Sequence, residues 1–161
     1  MNEASPPGAP APAAPSRAPA PAAPARAPVV VPAHFQSFLA VDFGTKRTGV
    51  ATGSRMMGLT TPQATIKAEG ADARRLQVAA RIKEFEPDAL VIGVPYHPDG
   101  AAHENTARAL KFGRQLRGRF GLQVFEVDER YSTTEALSGG ARDADAASAC
   151  IILEQFLRSL P

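Results

Sequence analysis

The stretch Phe38–Ser54, FLAVDFGTKRTGVATGS, constrains this chain more than any other. Phe38 to Phe43 is apolar on both faces except at Asp42, the pattern of a central strand covered on both sides. Gly44-Thr45-Lys46-Arg47 reads as a turn in which Gly44 is free to take a positive backbone angle. Thr48 to Thr52 returns as a second strand, with Gly49 at a point where a side chain would hinder close backbone approach. A carboxylate at the end of a buried strand is costly unless it is paired, hydrogen-bonded or metal-bound. Asp42 is therefore the first candidate for function, set against the plainer role of capping the turn.

Ahead of this stretch, residues 1–33 are almost wholly Ala and Pro and hold ten of the chain's fifteen prolines. Proline neither propagates a helix nor completes a strand ladder, so the reading is a disordered, partly polyproline-like tail, with one domain over 34–161. The tail lacks the basic start and unbroken apolar core of a signal peptide, and no run reaches the length of a membrane span. The single cysteine, Cys150, lies in an apolar helical run and has no partner for an internal disulfide, which fits a core position in a reducing cytosol. The expected location is cytoplasmic, with no membrane partner.

Beyond the hairpin, Leu59 to Ile66 reads as a third strand, and Pro62 consigns it to an edge. Ala71 to Glu86 has helical periodicity, with Leu76, Ala79, Ala80 and Ile82 as its apolar positions and Pro87 as its stop. Asp88 to Val94 is another buried strand, and a polar loop with a Pro-Asp-Gly turn follows. Glu104 to Phe120 is a second helix, with Ala107, Leu110, Phe112 and Leu116 expected inward. Leu122 to Val127 is a fifth strand. Ser132-Thr133-Thr134-Glu135 has capping-box spacing and predicts a short helix. Asp143 to Leu160 closes the chain as a helix with Ala149, Ile152, Leu153 and Phe156 on one stripe. This order predicts an α/β fold: a mixed sheet of a three-strand meander plus two parallel strands, with helices on both faces.

In such a sheet the first, fourth and fifth strands end at one edge, where ligands gather. Asp42 and the pair Asp128-Glu129 fall at that edge, while Asp145 lies one helical turn before Ala149 on the packing stripe of the last helix. Strand alternation lets one of Asp128 and Glu129 face a shared site. Carboxylates without a Cys/His set favour Mg²⁺ or Mn²⁺ over Zn²⁺, and paired ions of this kind serve phosphodiester cleavage. Charge adds a second clue. Between Glu104 and Glu126 every charged residue is basic: Arg108, Lys111, Arg114, Arg117 and Arg119. Such a stripe meets phosphates or is simply a solvated helix face. Lys46 and Arg47 are turn residues or phosphate ligands. Tyr131 stacks on a base or packs, His97 and His103 are loop residues, and Met56 and Met57 are expected to pack locally.

The segments DFGTKRTGVA, VIGVP with its downstream PDG, DERYSTTEA and DADAASACIILEQFL resemble, in order and spacing, the YqgF/RuvX family, over Phe38 to Leu157. That resemblance implies an RNase H-like fold related to the RuvC-type Holliday-junction resolvases, and nuclease action on the 5′ end of pre-16S ribosomal RNA. It implies that Asp42, Glu129 and Asp145 are the catalytic and metal-binding carboxylates. Arg130 of the same DER motif joins Lys46, Arg47, Arg108, Lys111 and Arg114 as a candidate for substrate binding. The loop between STTEA and the last Asp is shorter than the family's usual basic loop, leaving Arg142 as its sole cation.

The expectation is thus a Mg²⁺- or Mn²⁺-dependent endonuclease acting on structured RNA, as monomer or homodimer, in contact with a ribosomal precursor particle. A Holliday-junction resolvase acting on branched DNA is the first alternative, since phosphate contacts do not distinguish the sugar. A nucleic-acid-binding assembly or transcription factor without activity is the second, and three carboxylates placed beside phosphates argue against it. The Asp-Phe-Gly of a protein kinase is excluded by the absence of a Gly-rich loop and a catalytic His-Arg-Asp.

Overall fold

The computed structural model describes residues 30–97, 99–102, 104–128 and 144–161. Five strands form one sheet: β1 (Ser37–Asp42), β2 (Arg47–Ser54), β3 (Leu59–Lys67), β4 (Ala89–Val94) and β5 (Gln123–Asp128). Their spatial order is β3-β2-β1-β4-β5. The first three form an antiparallel meander, while β4 pairs parallel with β1 and β5 parallel with β4. Three helices complete the described structure: α1 (Ala71–Phe85), α2 (Glu104–Phe120) and α3 (Ala144–Arg158). The short helix expected at Ser132 lies outside the described residues.

The apolar runs become the middle of the sheet. All six residues of β4 are buried, as are Phe38 to Val41 of β1, which leaves Asp42 as the polar end of a buried strand. Alternation sorts these side chains into two cores. Leu39, Val41, Val50, Leu90, Ile92 and Val124 pack with α1 and α2 on one face. Phe38, Ala40, Ala51, Val91 and Phe125 pack under Ala149, Ile152, Leu153 and Phe156 of α3 on the other. Pro62 does lie in an edge strand, where its missing N–H costs no ladder bond, and β2 carries a register shift against β3 between Thr48 and Val50.

Several packing assignments differ from the sequence pattern. Leu76 is 68% exposed, and the buried face of α1 is instead Arg74 and Val78, with Ile82 and Phe85 partly covered. On α2, Thr106, Ala109, Phe112, Gly113 and Leu116 are buried while Ala107 is exposed. Met56 and Met57 point to solvent. Cys150 is half-buried, and burial pushes its thiol pKa up. At the N-terminal side the chain is already docked within the stretch read as tail. Val31 packs against the α3 core, and the Pro32 carbonyl accepts hydrogen bonds from the Arg55 guanidinium at 3.0 Å and the Phe35 amide at 3.0 Å. No helix among the described residues is long and apolar enough to cross a membrane.

Candidate active site

Asp42 is the last residue of β1, at the end where the parallel strands finish. Phe38 and Ala40 belong to the α3 core, so alternation puts Asp42 on the α3 face. Its register partners on both sides are glycines, Gly49 of β2 and Gly93 of β4. No side chain therefore flanks this carboxylate across either ladder.

Gly49 also sets where α3 begins. A Cβ there would run into the Asp145 carbonyl and lie 3.2 Å from Asp145 Cα. The first turn of α3 therefore rests directly on the backbone of β2, one ladder step from Asp42. The glycine expected to permit a close approach does so, and what approaches is the backbone that carries Asp145. The position suits an acid, since the free amides of a first helical turn favour negative charge. Arg47, the first residue of β2, donates from Nε to Asp145 Oδ2 at 2.7 Å. Between Asp42 and Arg47 the turn is tight: a side chain at Gly44 would overlap the Arg47 carbonyl. Thus one connection of four residues carries Asp42 at one end and the cation that holds Asp145 at the other.

The other sequence candidates are dispersed. Asp128 is exposed and pairs with Val94, which belongs to the α1/α2 core, so by register it sits on the face opposite Asp42. Glu129, Arg130, Tyr131 and Arg142 lie outside the described residues. Lys46 is exposed in the turn. The basic residues ride on α2, across the sheet from the carboxylates. Arg108 is engaged by Glu104 at 2.8 Å and by Asn105, and Arg117 Nη2 donates to the Val124 carbonyl at 3.1 Å, fastening α2 to β5. Lys111 and Arg114 are exposed. The stripe and the carboxylate pair are therefore not one continuous surface. His97 sits in a turn, its amide donating to the Ala101 carbonyl at 2.9 Å.

One charged residue escaped the sequence reading. Arg74 is 5% exposed on the inner face of α1 and makes no ion pair among the described residues; burial lowers its pKa. The available signal was its spacing of four from Val78 and eight from Ile82, which puts an arginine on the apolar stripe.

As to metal, Asp42 and Asp145 offer only oxygen donors, the chemistry that Mg²⁺ and Mn²⁺ prefer. No group of three or more His, Cys, Asp or Glu forms a metal cluster among the described residues. The pair therefore fits part of a divalent-ion site and needs a further donor.

The meander, the two parallel strands and the flanking helices define the RNase H-like fold of the RuvC-type resolvases. Thermus thermophilus RuvC in complex with a Holliday junction superposes with TM-score 0.54 at 13% identity, covering 76% of this chain and 94% of that one. The fowlpox virus Holliday junction resolvase gives 0.52 at 13% identity, covering 77% and 99%. At the level of sequence, the family described as RuvX, Holliday junction resolvase, matches residues 36–159, and the chain belongs to that family. A relative from Polaromonas sp. is 72% identical over 129 residues, covering 80% of this chain and 93% of its own length. One from Albidiferax ferrireducens is 67% identical over 132 residues, covering 82% and 84%. Both carry the name "Putative pre-16S rRNA nuclease".

Proposed function

We propose that this protein is a Mg²⁺- or Mn²⁺-dependent endonuclease that hydrolyses structured RNA and trims the 5′ end of pre-16S ribosomal RNA in the cytoplasm, on a ribosomal precursor particle. The observation that carries the reading is the seating of Asp145 beside Asp42 through the side-chain-free Gly49, on the sheet edge where the parallel strands end. The names of the two most similar relatives described above supply the substrate.

Asp42, Asp145 and Glu129 would hold the metal. The register of Asp128 on the opposite face favours Glu129 as the third carboxylate. Bound there, the metal would supply Lewis-acid polarisation of the phosphodiester and lower the pKa of a water, so that it gives up a proton and becomes the nucleophile. Arg47 keeps the Asp145 carboxylate oriented and offsets part of the negative charge that would otherwise repel an approaching phosphate. Lys46, exposed one residue earlier, would meet a backbone phosphate. Hydrolysis forms one P–O bond to the water oxygen and breaks the P–O bond to the leaving oxygen, which takes up a proton that the water gives up.

The family description and the solved resolvases favour one second reading, cleavage of branched DNA. A single set of incubations tests both. Pre-16S RNA and a four-way DNA junction are each incubated with wild-type protein and with Asp42→Asn, with and without Mg²⁺. RNA cleavage that needs Mg²⁺ and falls at least about 100-fold in Asp42→Asn, with RNA binding retained, is expected. Full activity in the variant overturns the site. Preferential cutting of the junction replaces RNA by branched DNA.

A further inference from the structure

On the face of the sheet away from the carboxylates, α1, α2 and the β1–β2 turn enclose an open cleft of about 300 Å³. Phe43, Thr45, Glu69, Arg74, Arg108 and Lys111 line it. Its volume is roughly ten times the ~30 Å³ share of a water molecule, so there is room for a polyatomic ion.

Arg74 is the reason to ask what enters. Its guanidinium is fixed at two points: Nη2 donates to the Thr45 carbonyl at 2.5 Å, and the carbon of the guanidinium stands 4.9 Å over the Phe43 ring. Phe43 in turn packs on Phe112, with ring centroids 5.2 Å apart, so the stack is anchored in the core. Yet Nε is buried without a hydrogen-bond partner, and no carboxylate balances the charge among the described residues. Arginine stays protonated even when buried, so it does not escape the cost of desolvation by losing its proton. Arg74 thus stands in the wall of the cleft as a fixed cation without an ion pair among the described residues, and an anion that enters would meet it.

The surroundings agree. α1 starts at Gly70 without a side-chain cap, and Ala71 of its first turn lines the same cleft, so the positive end of the helix borders it. Lys111 adds an exposed cation from α2. The opposing charges are accounted for: Arg108 is engaged by Glu104, Asp72 pairs with Arg75, and Glu69 is the one lining carboxylate among the described residues. Two of the three lining cations, Arg74 and Lys111, thus face one carboxylate.

We propose that this cleft binds a phosphate group of the nucleic-acid backbone, on the side of the sheet opposite the cleaving site. A guanidinium fork together with helix amides matches phosphate oxygens better than a single-point anion. The β1–β2 turn joins the two places: Thr45 touches Arg74 on one face while Arg47 touches Asp145 on the other. A strand crossing the carboxylates and passing over this turn delivers a second phosphate to Arg74. The nucleic-acid part rests on the nuclease reading; the phosphate part stands without it.

The test follows the Arg74 side-chain Nε–Hε signal by NMR, identified by its absence in Arg74→Gln. Inorganic phosphate is titrated first, then a single-stranded RNA oligonucleotide without terminal phosphates. Both are expected to move the signal saturably, with the oligonucleotide displacing phosphate. Lys111→Ala, an exposed change that leaves folding intact, should weaken RNA binding and lower the salt slope by about 0.7. A signal that moves with phosphate but not with RNA marks a free-anion site and overturns the backbone assignment. A signal that moves with neither, or an unchanged slope in Lys111→Ala, overturns the proposal. No arm measures cleavage, so failure of the nuclease reading would be seen separately.

Discussion

The two faces of the sheet treat charge in opposite ways. On the α3 face the acids Asp42 and Asp145 are seated side by side, and a cation, Arg47, lies 2.7 Å from one of them. On the α1/α2 face a cation, Arg74, is buried against an aromatic ring and makes no ion pair among the described residues. The first arrangement suits a cation that arrives, the second an anion that arrives. Both are fixed to the same turn, residues 43–47, so a single short connection joins the two charge arrangements. A basic stripe in the sequence gives no hint of this division, because charge counted along a helix says nothing about which face of the sheet the helix covers.

The contrast breaks most completely at Gly49. Replacing it with Ala forces a methyl group into the Asp145 carbonyl, so α3 must lift from β2. Urea unfolding should show a loss of about 1–3 kcal/mol, and cleavage should disappear because Asp145 moves away from Asp42. Phosphate binding at Arg74, on the other face, should persist in the folded fraction. Wild-type stability in Gly49→Ala would show that the helix is not seated there.

Arg47→Gln is the finer cut. The ion pair is half-exposed, so stability should fall by no more than about 1 kcal/mol. Cleavage should fall by about tenfold, as expected when the group that orients a reactive carboxylate is removed. A steady-state comparison of kcat and KM on one RNA substrate checks it, and an unchanged kcat would reduce the pair to a surface contact.

The smallest effect is expected from an acid with neither role. Asp88, at the opposite end of the parallel strands, accepts the Gln36 amide at 2.7 Å and the Ser37 amide at 3.0 Å, and these backbone bonds lower its pKa below 3.8. A carboxylate with a depressed folded-state pKa stabilises the protein above its unfolded pKa. That contribution is lost as pH falls through the folded value. Asp88→Asn should therefore be less stable than wild type by under about 1 kcal/mol at neutral pH, since the group is exposed, and the gap should close below about pH 4. Melting curves across pH 3–7 measure it. A gap that widens in acid would contradict the hydrogen-bond assignment.

Much of this architecture was legible because it rests on local pattern. Continuous apolar runs marked β1 and β4 as doubly covered, Pro62 marked an edge, and the interval from Asp145 to Ala149 put that acid on the packing side of α3. The flaw lay in trusting hydrophobicity residue by residue. Leu76 belongs to the apolar period of α1 yet is exposed, while Arg74, Val78 and Ile82 form the covered stripe, because an arginine counts as polar even when an aromatic ring covers it. The same limit hid the cleft: Phe43, Thr45, Arg74 and Lys111 come from three separate segments and share no spacing. Gly49 was readable as a close approach, but not as an approach by α3, which starts 95 residues later in the chain.

That contact at Gly49 has a further consequence. Backbone meets backbone there, so the spacing of Asp42 and Asp145 is set by a strand ladder and a helix seat rather than by rotamers. Warming excites side chains long before it separates packed backbones. The backbones that carry the two acids therefore keep their spacing until α3 itself leaves the sheet.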